Sequence, residues 1–165
     1  RPTSDRAREA VFNILSSKLA GDWAACDMLD VFAGTGAVGL EALSRGVRSV
    51  TLLDVNLQTA RRNAALFAKE KDRISLISAD ASRLPPAPRQ YNLVFLDAPY
   101  NKGLSVAALQ SLAGQGWLAE DALVLVELEK NEPLEMESIP FFEQVDERRY
   151  GLARVVFLHF LPAKK

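Results

Sequence analysis

Asp30-Val-Phe-Ala-Gly34-Thr-Gly36-Ala-Val-Gly39 decides the fold of this 165-residue chain. The apolar run Met28 to Phe32 around its start reads as a short buried strand. Glycines then turn the chain into an apolar-periodic segment that begins near Ala37 and ends at Gly46, a residue suited to a helix C-terminus. A strand, a glycine turn and a helix form the opening unit of an open parallel sheet that holds a ligand at its strand ends. The alternation continues outward. Ser49 to Asp54, Ile74 to Asp80, Tyr91 to Asp97 and Ala122 to Leu128 read as further strands. Leu57, Ala60, Ala64 and Phe67 mark one helix face, and Val106 to Leu112 another helix. Upstream, Val11, Phe12, Leu15 and Leu19 give a helical stripe over Asp5 to Leu19, with Thr3 or Ser4 placed to cap it. Pro85-Pro86-Ala-Pro88 breaks the chain. Phe142 to Arg149 and Ala153 to Phe160 flank Gly151 as an antiparallel hairpin. Repeating β and α units followed by a hairpin predict a doubly wound α/β sheet, mostly parallel with an antiparallel edge. The whole of residues 1–165 reads as one domain.

Composition narrows the function classes. Hydrophobic residues make up 48% and charged residues 25%, an ordinary globular mix, and the net charge is −1. No global field draws in nucleic acid, so any such contact must be local. One cysteine, Cys26, cannot form an intrachain disulfide, which fits a reducing, cytoplasmic setting. One Cys and one His, Cys26 and His159, do not make a zinc site of the usual kind, and no metal is expected. No apolar run approaches the roughly 18 residues of a membrane span.

The glycine loop admits two cofactors. Gly34, Gly36 and Gly39 fit the dinucleotide fingerprint, and Asp54, about 20 residues further on, stands where a ribose-binding acid belongs. Asp30 separates the two. A carboxylate at the end of the first strand repels a pyrophosphate. It suits the ammonium of S-adenosylmethionine (SAM), which has no phosphate. Asp54 can accept from the ribose hydroxyls, and Asp80 is placed for the adenine amine. Phe32, Ala33, Gly34, Gly36, Val55 and Ala81 complete the expected cofactor contacts. Asp and Gly also favour ordinary turns. Acids at four successive strand ends, Asp30, Asp54, Asp80 and Asp97, point instead to one shared ligand. The loop resembles the SAM loop of Rossmann-like methyltransferases, and that resemblance implies a Rossmann-like SAM methyltransferase sheet with SAM as cofactor.

Asp97-Ala98-Pro99-Tyr100 resembles the amine-methylating loop, usually Asp-Pro-Pro-Tyr, of SAM-dependent methyltransferases, and that resemblance implies that it carries the catalysis. A base amine is a poor nucleophile because its lone pair is delocalised. Acceptors at Asp97 and the Ala98 carbonyl can hold such an amine in line with a methyl donor. Pro99 biases Ala98 toward extended backbone. Tyr100 offers a face on which a flipped base stacks.

The chain resembles the bacterial ribosomal RNA small-subunit methyltransferase D family. The resemblance spans nearly the whole sequence. It rests on Arg1-Pro-Thr-Ser-Asp5-Arg6-Ala-Arg8-Glu9 with Phe12-Asn13, on the Asp30 to Gly36 loop, and on Arg149-Tyr150-Gly151. It implies methylation of the exocyclic N2 amine of a guanine in 16S ribosomal RNA. The partner it implies is that RNA within a 30S subunit or assembly intermediate, approached by a monomer. It also implies a small N-terminal extension ahead of Arg1 that helps to hold RNA. The family has proline where this chain has Ala98, which keeps the carbonyl but loosens φ.

Arg1, Arg6, Arg8, Arg148, Arg149 and Arg154 are candidate phosphate contacts, since guanidinium suits bidentate phosphate binding. Scattered arginines on a solvated face are the plainer reading. Trp23, Trp117 and His159 read as packing residues. Two other functions stay open: an amine methyltransferase acting on adenine or a protein glutamine, and a non-catalytic SAM-fold subunit that binds RNA or protein.

Overall fold

A computed structural model of the chain describes residues 5–162. Its centre is a seven-stranded sheet in the order β3-β2-β1-β4-β5-β7-β6. The strands are β1 (Asp27–Val31), β2 (Ser49–Asp54), β3 (Ile74–Ser78), β4 (Tyr91–Leu96), β5 (Leu118–Glu129), β6 (Phe142–Tyr150) and β7 (Ala153–Phe160). The helices are α1 (Asp5–Lys18), α2 (Ala37–Arg45), α3 (Gln58–Ala64) and α4 (Leu104–Gly114). β3, β2, β1, β4 and β5 run parallel, and β7 lies antiparallel to both β5 and β6. The expected α/β class, parallel core and antiparallel hairpin are all present. The chain moves from β1 out to β3, then returns to place β4 on the other side of β1. That reversal between β1 and β4 is the switch point where open α/β sheets bind ligands.

Both sheet faces are covered, so the parallel strands read as continuous apolar runs. On one face, Val11, Phe12 and Leu15 of α1 and Leu40 and Leu43 of α2 pack on Met28, Leu52, Leu93, Phe95 and Leu125. On the other, Ala108, Leu109 and Leu112 of α4 pack with Trp117 on Leu29, Leu53, Val94, Leu96 and Val126. Strand residues alternate between the two cores, as a period of two requires.

That alternation has a direct consequence for function. Asp30 is two residues from Met28, Asp54 two from Leu52, Asp97 two from Phe95, and a further acid, Glu127, two from Leu125. All four of those neighbours belong to the α1/α2 core. The four carboxylates therefore share one face, at the carboxyl ends of the adjacent strands β2, β1, β4 and β5.

Several boundaries differ from the sequence reading. β5 begins at Leu118, not Ala122, because polar Glu120 and Asp121 interrupt the apolar run; Asp121 has a left-handed φ of 62°, and the pairing with β4 shifts register there. α3 stops at Ala64, short of Phe67, and a 3-10 turn over Ala68–Arg73 leads into β3. β3 stops at Ser78, two residues before Asp80. The expected cap at Thr3 or Ser4 lies outside the described residues.

Candidate active site at the carboxyl ends of the strands

The glycine loop is built by backbone that most residues avoid. Phe32, Gly34 and Gly36 have left-handed φ values of 60°, 56° and 81°. Gly36 has a second constraint: a Cβ there would stand 2.9 Å from Leu52 Cδ1. Hydrogen bonds hold the turn. Ala33 N–H donates to Leu53 O at 3.0 Å, and Gly36 N–H donates to Ala33 O at 2.7 Å. Asn63 on α3 donates its side-chain amide to Thr35 O at 2.8 Å. The loop's shape is thus defined by bonds within the chain itself.

Asp30 lies beneath this loop, 2% exposed. Its Oδ2 accepts from Gly39 N–H at 3.0 Å, within the first turn of α2. Burial pushes its carboxyl up to about 8, and the nearby charges of Asp97 and Asp54 push the same way, while the Gly39 bond pulls down. A buried carboxyl between two other acids favours a cation as neighbour. Asp54, half-buried at the end of β2, accepts from Gly34 N–H through Oδ2 and from Val55 N–H through Oδ1, both at 2.8 Å. Val55 beside it is an apolar side chain left 66% exposed. Ala81 is buried in the α4-side core.

Asp80 behaves differently from its neighbours. Its Oδ1 accepts from Ser82 N–H at 2.9 Å and Ser82 Oγ at 2.7 Å, and its Oδ2 meets Arg83 at 3.5 Å. Those bonds from Ser82, with Arg83 nearby, hold its carboxyl below the usual range. The structure thus places Asp80 in a local turn beyond β3, with one oxygen already committed.

The Asp97–Tyr100 loop follows β4 directly. Asp97 N–H donates to Val31 O at 3.3 Å, which joins the ends of β4 and β1. The Asp97 side chain is half-buried, and the Ala98 methyl is sealed in the α4-side core. Pro99 is exposed and Tyr100 half-buried. The Tyr100 hydroxyl donates to Glu127 Oε2 at 3.4 Å. Sequence reasoning missed Glu127. The signal was there: Ala122-Leu-Val-Leu-Val-Glu127 repeats the pattern of an apolar run closed by an acid that marks β1, β2 and β4.

The candidate RNA arginines scatter more than they converge. Arg1 lies outside the described residues, and Arg6 is exposed on α1. Arg8 pairs with Asp5 at 3.0 Å. Arg148 pairs with Asp146 at 2.9 Å and Arg149 with Glu147 at 3.3 Å, so each carries an acid partner. Arg154 turns inward, donating to Glu132 O at 2.7 Å and pairing with Glu147 at 2.9 Å. Among the described residues, no helix is long and apolar enough to cross a membrane.

Comparison with known proteins follows the same lines. The family model described as conserved hypothetical protein 95 matches residues 1–159. A protein named ribosomal RNA small subunit methyltransferase D from Escherichia coli is 38% identical over 133 residues, covering 78% of this chain and 64% of that protein. The protein of the same name from Haemophilus influenzae is 35% identical over 144 residues, 81% of this chain and 70% of its own length. The chain thus spans less than two thirds of the first of these relatives. Among solved structures, a "putative methylase" from Haemophilus influenzae superposes with a TM-score of 0.81 at 27% identity, covering 93% of this chain and 98% of that one.

Proposed function

The chain belongs to the conserved hypothetical protein 95 family, in the company of the ribosomal RNA small subunit methyltransferase D proteins, and on that premise we propose that it methylates the exocyclic N2 amine of a guanine in 16S ribosomal RNA, using SAM. The observation that carries the proposal is the convergence of two loops at the β1/β4 switch point, the glycine loop over Asp30 and Asp54 and the Asp97–Tyr100 loop.

The residues fit SAM better than a dinucleotide. Asp30 is a buried acid flanked by Asp54 and Asp97, an environment that a positively charged ligand relieves and a pyrophosphate worsens. Asp54 keeps lone pairs for a ribose diol beside its two backbone bonds. Val55 offers an apolar face for the adenine, Phe32, Ala33, Gly34 and Gly36 form the turn, and Ala81, its methyl buried in the α4-side core, offers only backbone. Asp80, partly committed to Ser82, contributes less than its neighbours. When bound, SAM supplies an electrophilic methyl group on a sulfonium.

This chain's own residues do the rest. Asp97 and the Ala98 carbonyl accept hydrogen bonds from the N–H groups of the amine, orienting its nitrogen and raising its electron density. Asp97 can take the proton that the nitrogen sheds. Tyr100 stacks on the base. Asp97, Ala98, Pro99 and Tyr100 form the acceptor loop, and Pro99 keeps Ala98 extended. The substrate is the RNA in a 30S particle or assembly intermediate, met by a monomeric, single-domain chain in the cytoplasm. Arg6, exposed on α1, is the more available phosphate contact, since Arg8, Arg148 and Arg149 are each paired with an acid. The test is methyl incorporation into undermethylated 30S subunits, followed by nucleoside analysis. N2-methylguanosine is the expected product. Methyladenosine, methylglutamine or no product would overturn the assignment.

A further inference from the structure

Glu127 is a carboxylate 2% exposed in a strand that is otherwise apolar through its centre. β5 lies between β4 and β7, and Glu127 pairs in register with Val155. On the other side, Leu96 pairs with Val126, so Glu127 stands level with Asp97. Leucine or valine would fill such a position at far lower desolvation cost. An acid there calls for a partner that needs it. Oε2 of Glu127 receives the hydroxyl of Tyr100 at 3.4 Å. Tyr100 sits in the irregular segment between β4 and α4, where Pro99, Asn101, Lys102 and Gly103 are exposed and Asn101 has a left-handed φ of 57°. Its ring is thus held at two ends, by the loop backbone and by a rigid strand.

We propose that Glu127 is a positioning residue: its buried carboxylate tethers the Tyr100 hydroxyl to β5 and so fixes the acceptor loop and the ring face that meets the substrate base. The tether rests on the geometry above. Its meaning for catalysis rests on the reading of Asp97–Tyr100 as the methyl-acceptor loop. A fixed ring presents its face without an ordering cost at each encounter, which favours the transition state over mere binding. Glu127 acts on the chemistry through Tyr100, while Asp97 meets the amine itself.

Native-state trypsin cleavage after Lys102 tests the tether without any substrate, because Lys102 is exposed two residues beyond Tyr100. Cleavage there follows the population of the open loop. Glu127→Ala and Tyr100→Phe should each speed it by up to about tenfold, or about 1.4 kcal/mol, the upper end for one intramolecular hydrogen bond. The double variant should cut no faster than either single one. Glu127→Gln keeps an acceptor oxygen and should stay near the wild-type rate, which also guards against misfolding of the alanine variant. On 30S subunits, Glu127→Ala should lower kcat with the KM for SAM unchanged. Wild-type cleavage rates in both single variants, multiplying effects in the double, or a normal kcat in Glu127→Ala would overturn the proposal. A wild-type protein that shows the cleavage pattern but transfers no methyl group would keep the tether and defeat the reading of the reaction.

Discussion

Asp30 and Gly39 are joined by a hydrogen bond of 3.0 Å from the Gly39 N–H to the Asp30 carboxyl, which locks the end of β1 to the first turn of α2. The contact is close from both sides. A Cβ on Gly39 would come within 3.2 Å of Asp30 Oδ2, 2.9 Å of Val50 Cγ2 and 2.5 Å of Leu52 Cδ2. Only glycine lets the helix sit this low over the acid.

Gly39→Ala should therefore destabilise the fold by about 1–3 kcal/mol, the usual cost of overpacking a filled core. The added methyl should also lift α2 away from Asp30 and weaken SAM binding. Urea unfolding and calorimetry measure the two effects. An alanine variant as stable as the wild type would show that α2 shifts freely.

The pH dependence of stability should follow Asp30. Its carboxyl is pushed up to about 8 from the ordinary 3.8, chiefly by burial. Between those values the folded protein keeps the proton and the unfolded chain loses it. Folding stability should then fall as pH rises from 4 to 8, with the full penalty present above 8. Asp30→Asn removes the titration and keeps an acceptor for Gly39, so its gain in Tm over the wild type should be greater at pH 8.5 than at pH 5.5. SAM favours the ionised acid, so binding to the wild type should release protons below pH 8 and the asparagine variant should bind more weakly. Melting scans at the two pH values and calorimetry in buffers of different ionisation enthalpy give the readings.

Asp54→Ala should weaken SAM binding by about 1–3 kcal/mol, because the ribose acceptors are lost and Gly34 N–H is released from its 2.8 Å partner. NAD should not bind to the wild type at all at comparable concentration. Calorimetry with both ligands checks this. Tighter binding of NAD than of SAM would reverse the reading of the loop.

The parallel core was legible because β1, β2 and β4 each end an apolar run at an acid, and because Gly36 and Gly46 bound α2 on either side. The candidate site residues on β1, β2 and β4 were proposed from that pattern. The rest depended on neighbours distant in sequence. Asp80 looks like the other strand-end acids, yet β3 ends two residues earlier and Ser82 captures its carboxylate. Arg148 and Arg149 look available in sequence, but the pleat of β6 sets each beside an acid two residues away. Glu127 escaped notice because β5 was read only for its apolar length, and the value of its carboxylate appears only when Tyr100 is folded over it.

The central claim is that Asp97 acts on the acceptor amine while the Asp30–Asp54 loop holds the cofactor. It is tested most directly by the turnover of Asp97→Ala on undermethylated 30S subunits at saturating SAM, with SAM affinity measured on the same preparation. Loss of an interaction that strengthens in the transition state should lower kcat by roughly 10²-fold or more and leave SAM affinity close to that of the wild type. An Asp97→Ala protein that methylates at the wild-type rate would contradict the account.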